Sequence, residues 1–247
     1  MPDAATMTAR SVRLSARNLD ALLTSLMLPV MLMLMFVYLF GGAIHTGTAY
    51  VTYVVPGVIL LCAGFGAATT AVSVSQDLAG GIVDRLRSLD VRPAAILAGH
   101  VAASAIRNVV STTLVIAVAV AIGFRPHADV LQWLAAAGVL LAFVVAVSAL
   151  SATIGLLARS PEAANGFTFV LVFVPYASSA FVPVATMPSW IQGFARHQPV
   201  TPVVETLRAL LLDRPAGSAP WVALAWCAGI LLVAVAASGP LFRQRTA

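Results

Sequence analysis

Asp77, Asp84, Arg85, Arg87, Asp90 and Arg92 all fall within residues 76–100, the one long charged interruption between very apolar runs. Residues 21–76, which lead into it, contain no Asp, Glu, Lys or Arg. Grouped charges of both signs suit ion pairing with another surface rather than bond-breaking chemistry. Ile82, Leu86 and Leu89 recur at i, i+4 and i+7, which predicts a short helix with one apolar stripe. Asp84, Arg85, Arg87 and Ser88 fall mostly on its other faces, and Gly80 and Gly81 let the chain turn sharply before it. Such a helix suits the groove of a soluble partner. The same periodicity also fits an amphipathic loop resting on lipid headgroups.

Catalytic patterns are not found elsewhere. The chain has no H-E-x-x-H and no G-x-S-x-G sequence, and neither its histidines nor its cysteines have metal-ligand spacing. His45, His127 and His197 fall in expected loops, His100 near the start of an expected span, and Cys62 and Cys227 inside spans as small buried residues. No catalytic residue and no metal site are therefore expected. All 14 basic residues are arginine. A phosphate-binding loop of the G-x-x-x-x-G-K-[ST] type needs a lysine, so any use of ATP requires another polypeptide. The expected spans hold no acidic or histidine side chain, which disfavours an ion-coupled carrier. Gly64 and Gly66 form a Gly-x-Gly inside an apolar run, a place for close helix packing rather than a nucleotide fingerprint.

The elements around these residues are set by hydrophobicity. Over 247 residues, 60% are hydrophobic and 9% charged, and the mean hydropathy is +0.97. That places the chain among polytopic membrane proteins, as a single membrane domain. Residues 7–22 read as an amphipathic helix, with Arg10, Arg13 and Arg17 on one face toward anionic headgroups; a frayed basic tail is the alternative. Six spans are expected over residues 21–43, 51–75, 106–124, 130–157, 166–183 and 221–241. Pro29 and Pro56 lie inside the first two, and Pro93 suits the first turn of the helix entering the third. Arg107 is expected to snorkel to the inner interface. Residues 186–213 are too polar to span and read as re-entrant or interfacial, with Thr201-Pro202 opening a helix.

Six spans put both termini on one side. That side collects ten arginines (Arg10, Arg13, Arg17, Arg85, Arg87, Arg92, Arg107, Arg159, Arg243 and Arg245) against four on the other, Arg125, Arg196, Arg208 and Arg214. The excess places both termini, and residues 76–100, in the cytoplasm.

One block of the chain carries Asp77, Gly81, Asp84-Arg85-Leu86-Arg87-Ser88-Leu89, Gly99 and Arg107-Asn108. A second carries Ser179-Ala180-Phe181-Val182-Pro183, Met187-Pro188-Ser189-Trp190, Gln198-Pro199-Val200-Thr201-Pro202 and Leu207-Arg208-Ala209-Leu210. Together with the N-terminal amphipathic helix and six spans, and so over nearly the whole chain, these blocks resemble the membrane subunit of ABC-2-type exporters, in the branch that holds the daunorubicin-resistance permeases. Asp90 stands where relatives often carry proline. The resemblance implies an all-α, six-span fold with an N-terminal amphipathic helix, a coupling helix and re-entrant outer helices. It implies a pair of permease subunits in a bacterial plasma membrane, each resting on a separate ATPase subunit that holds ATP and Mg. Asp77, Gly81, Asp84, Arg85, Leu86, Arg87, Leu89 and Arg92 would make the ATPase contact. Arg159, Pro161 and Glu162 would make a second one, and Phe65, Thr69, Phe169, Phe173 and Tyr176 would line the substrate path. The implied activity is export of an amphipathic or lipophilic compound: a drug, an antibiotic or a lipid-like molecule. A non-transporting scaffold or sensor that recruits a cytosolic protein through the same helix is the rival reading.

Overall fold

The computed structural model describes residues 2–17, 19–44, 46–83, 91 and 93–245, and among these every regular element is helical, with no strand. In chain order the helices are α1 (Pro2–Arg17), α2 (Leu19–Met35), α3 (Tyr50–Ala79), α4 (Pro93–Ala121), α5 (Val130–Leu157), α6 (Pro161–Phe173), α7 (Ser189–His197), α8 (Val200–Leu211) and α9 (Ala219–Arg245). Among the described residues four helices are long and apolar enough to cross a membrane: Tyr50–Ala79, Ala94–Ala121, Val130–Leu157 and Ala219–Gln244. They make this a multi-pass membrane protein. The first and fifth expected spans are less regular. Met27–Phe40 is a shorter apolar helix that ends in a π-helical turn, Phe36–Phe40. Residues 166–183, read as one span, instead hold the end of α6, a 3-10 turn at Val174–Ala177 and a bent segment. Pro175 explains the break, because it has no N–H to continue the helical ladder.

Helix starts follow their local chemistry. Asp129 caps α5 by accepting the Gln132 N–H, while the Gln132 side chain accepts the Asp129 N–H. Ser160 caps α6 and Pro161 takes its first position. Thr201 is not a cap: α8 begins at Val200, and the Thr201 hydroxyl donates to the Ala195 carbonyl and accepts the Ser179 N–H.

α3 is the hub. Its middle is almost wholly buried, with Val54, Val55, Val58, Leu60 and Leu61 all inaccessible. Without water to drive association, close approach between such helices rests on small residues. Gly155 of α5 shows this: a Cβ there would stand 2.5 Å from the Ala71 carbonyl oxygen and 2.9 Å from Val74 Cβ. Gly138, on the same helix, has open space around it. Gly155→Ala is therefore expected to destabilise the bundle by about 1–3 kcal/mol by overpacking, with Gly138→Ala near neutral. Thermal unfolding of both variants in detergent checks this, and equal melting points would refute it.

Packing also orders the two ends. Val74, Val83, Ile96, Leu156 and Phe242 share one buried cluster, so the ends of α3 and α5, the start of α4 and the end of α9 meet. α1 lies there too, with Met7 against Gly99. Both ends of the described chain thus sit at one end of the bundle. Tyr50, Phe124 and Leu211 belong to the main core cluster toward the opposite end, beside α7 and α8.

Candidate functional site

At the termini end, α1 is latched to the bundle by charge. Arg10 donates from Nη1 to Asp77 Oδ2 at 2.9 Å and from Nη2 to Oδ1 at 3.2 Å, a bidentate pair. His100 Nε2 stands 3.2 Å from the same Oδ2. Asp77 and His100 are both buried, and Arg10 is half-buried. Arg10 therefore turns inward, while Arg13 stays exposed. The expected face of three arginines against headgroups is divided. Asp77, placed by sequence among the ATPase-contacting residues, spends its carboxylate on an intrachain pair.

α3 ends at Gly80, and Gly81 follows with φ +66°, a left-handed turn that glycine makes without strain. Val83 then tucks into the buried cluster at this end. Asp84, Arg85, Leu86, Arg87, Leu89 and Arg92 lie outside the described residues. The short turn between α5 and α6 lies at the same end, where Ala71, Ala158 and Ala164 pack together. Arg159 and Glu162 are exposed on it. The Glu162 carboxyl is held below its ordinary range by its own backbone N–H at the helix start and by the Ser160 hydroxyl.

Deeper in, a polar layer joins α3, α4 and α5. Ser148 donates to Ser104 at 2.8 Å, Ser104 to the Gly66 carbonyl at 3.3 Å, and Asn108 Nδ2 to the Ser104 carbonyl at 3.0 Å. Arg107 donates to the hydroxyls of Thr69 and Thr70 at 3.3 and 3.2 Å. It lies seven residues past His100, about 10 Å further along α4, and is held by α3 rather than reaching for the interface. Thr69, expected on the substrate path, is thus tied into a helix contact. Phe65, one turn away, is half-buried against the core.

The other three path candidates form a continuous aromatic seam. Phe169 meets Phe173 at 4.6 Å between ring centroids, and Phe173 meets Tyr176 at 5.7 Å. Tyr176 stacks on Phe181 at 5.0 Å, Phe181 on Phe36 at 4.5 Å, and Phe36 meets Phe40 at 5.6 Å. Sequence reading missed Phe36, Phe40 and Phe181, although Phe181 stood in a motif already singled out. The seam runs from α6 across its break to α2. One end is open, with Phe169 and Phe173 more than half exposed.

The bent segment that carries Phe181 has backbone carbonyls outside any helix, and in a membrane protein such groups need protein donors. Tyr50 and Tyr53 of α3 donate their hydroxyls to the carbonyls of Phe181 and Ser179 at 3.0 and 2.9 Å. Arg208 of α8 donates to the Ser179 carbonyl at 2.9 Å and the Tyr53 carbonyl at 3.1 Å, and its guanidinium lies 3.8 Å over the Tyr53 ring. One arginine thus joins α8, α3 and the bent segment.

Among the described residues the arrangement is a multi-helix membrane body, with α1 latched at one end and an aromatic seam linking α6 to the turn that follows α2. Residues 3–212 match the family described as ABC-2 type transporter. A daunorubicin resistance ABC transporter permease protein of Streptomyces coeruleorubidus is 31% identical over 228 residues, covering 92% of this chain and 81% of that protein. A probable doxorubicin resistance ABC transporter permease protein of Mycobacterium tuberculosis is 27% identical over 220 residues, covering 88% of this chain and 80% of its own. With the match spanning most of the helical body and both termini at one end, the chain belongs to the ABC-2 type transporter family, as a membrane subunit.

Proposed function

We propose that this chain is the permease half of an exporter that moves an amphipathic or lipophilic compound, driven by ATP hydrolysed on a separate subunit. The observation that carries the reading is the connector of residues 80–92, which leaves the buried hub helix α3 at Gly81 with charges of both signs and no lysine in the chain. A partner that grips this connector would act directly on α3, and α3 packs against α4, α5 and α6. Six spans, counting α2 and α6 with their irregular ends, would complete the body. Asp84, Arg85, Leu86, Arg87, Leu89 and Arg92 would form the coupling surface, and Arg159, Pro161 and Glu162 a second contact. The partner would supply ATP and Mg. The permease names of the relatives support a drug-like substrate.

In this mechanism a second permease copy faces the open end of the aromatic seam. Phe169, Phe173 and Tyr176 offer apolar faces for a flat or greasy solute. Closure of the paired ATPases pulls on the connectors and tilts α3 against α6, which faces it at Gly64, beside Val172.

Charge reversal at Arg85 and Arg87 (Arg85→Glu with Arg87→Glu) is expected to abolish co-purification with the proposed ATPase partner. The melting point of the permease alone should stay unchanged. Wild-type complex formation and wild-type coupled hydrolysis in the double variant would overturn the assignment of the connector.

A further inference from the structure

At the end of the bundle opposite the termini, three loops close around a pocket of about 510 Å³ lined by Thr48, Thr52, Arg125, His127, Asp213 and Arg214. The loops are pinned to one another. The His127 N–H donates to the Leu211 carbonyl at 3.0 Å, the Arg214 N–H to the Ala209 carbonyl at 2.9 Å, and Gln132 Nε2 to Asp213 Oδ1 at 2.6 Å. Asp213 holds a left-handed backbone at φ 51°, which an aspartate adopts at some cost and which the Gln132 bond helps to fix. Among the described residues Asp213 supplies the one carboxylate lining the pocket, and it is already engaged. Arg125 uses Nη1 on the Val120 and Phe124 carbonyls at the end of α4. The Arg214 guanidinium has no side-chain partner among the described residues. Two guanidiniums thus line one exposed, preformed concavity with an excess of positive charge, a setting for phosphate.

A second cavity, of about 220 Å³, lies further in. Ile59 of α3, Ile116 of α4, Trp133, Ala137 and Leu141 of α5, and Leu207 and Leu211 of α8 line it. Its walls are almost wholly apolar. Val109 and Leu141 at its rim are 61% and 49% exposed, so it opens sideways toward the surrounding bilayer.

The two cavities lie along one line. Thr52 of the first and Ile59 of the second are seven residues apart on α3, so they share a face about 10 Å apart along the helix. Leu211 and Leu212 are consecutive, and Trp133 follows the Gln132 that holds Asp213. A tryptophan at this height marks the interface between headgroups and acyl chains. We propose that the paired cavities are a binding site for an anionic phospholipid of the leaflet opposite the termini, with its phosphate between Arg125 and Arg214 and one acyl chain in the groove between α4 and α5. The occupant holds α4, α5 and α8 together from outside the bundle. The proposal rests on the membrane reading alone and needs neither an ATPase nor a transported substrate.

The test uses the full chain in phosphatidylcholine nanodiscs, with Trp190, Trp221 and Trp226 changed to Phe so that Trp133 alone reports. Phosphatidylglycerol brominated on its acyl chains is titrated in, against brominated diacylglycerol as a lipid without phosphate. Phosphatidylglycerol is expected to quench Trp133 well beyond its bulk mole fraction, and diacylglycerol only in proportion to its own. Arg214→Ala should weaken the phosphatidylglycerol response about fivefold, the loss of one interfacial basic contact, while Arg196→Ala, an equal loss of charge on α7, should leave it unchanged. Inorganic phosphate should not compete. Equal quenching by the two lipids, an unaltered titration in Arg214→Ala, or displacement by inorganic phosphate would each overturn the proposal. Native mass spectrometry of the unaltered chain against Arg214→Ala, counting retained phospholipid, separates the same outcomes without the tryptophan changes.

Discussion

Replacing Asp77 by alanine is expected to release α1 from the bundle. The substitution leaves the Arg10 guanidinium beside His100 without its anion, in a site where the Asp77 side chain is 10% exposed and that of Arg10 25%. Removing one partner of a buried ion pair costs about 3–5 kcal/mol, and the partial exposure of Arg10 places this case near the lower figure. Two readouts follow: a lower melting point in detergent, and tryptic cleavage after Arg10 or Arg13, which the docked helix resists. Adding Arg10→Ala to Asp77→Ala should cost little more, because the stranded charge is then gone. A double-mutant cycle measures this coupling. If Asp77→Ala keeps both the melting point and the protease resistance, the latch contributes nothing to the fold.

The second large effect is expected at Arg208. Arg208→Ala deprives the Tyr53 and Ser179 carbonyls of a charged donor and removes the cation from the face of the Tyr53 ring. Hydrogen bonds to charged groups contribute about 1.5–3 kcal/mol and the ring contact about 0.5–2 kcal/mol. The Ser179 carbonyl keeps the Tyr53 hydroxyl, so a total near 2–4 kcal/mol is expected, read as a fall in melting point. Arg208→Lys should recover only part of this: both carbonyl bonds come from the single Nη2, which an ammonium could replace, but an ammonium cannot also lay a flat face on the Tyr53 ring. Full recovery by lysine would show that charge alone matters and that the flat guanidinium face does not.

What could be read from the sequence differs from site to site for physical reasons. α5 was legible to the residue, because an apolar run of spanning length begins at the capping Asp129 and ends before Arg159-Ser160-Pro161. Pro93 as a helix start and the sharp turn at Gly81 were legible for the same reason: both are properties of single residues. The break in α6 carried a signal at Pro175 that the apolar run around it masked. The latch was not legible. Arg10 and Asp77 are 67 residues apart, and no local pattern tells which helix ends will meet. Arg107 was placed by the rule that a lone arginine seeks water, but α3 offers it two threonine hydroxyls instead. The aromatic seam was half legible: Phe169, Phe173 and Tyr176 recur at helical spacing, whereas Phe36 and Phe181 join them only through the fold.

The latch also imposes an order in time. A ribosome makes α1 first, but the site that receives it is complete only when His100 has followed, 90 residues after Arg10. At typical synthesis rates that interval is roughly 5–20 s. For most of it Arg10 has no Asp77 to meet, and an amphipathic basic helix at a membrane surface lies among headgroups. Docking of α1 on the bundle therefore has to follow synthesis of α3 and of the start of α4.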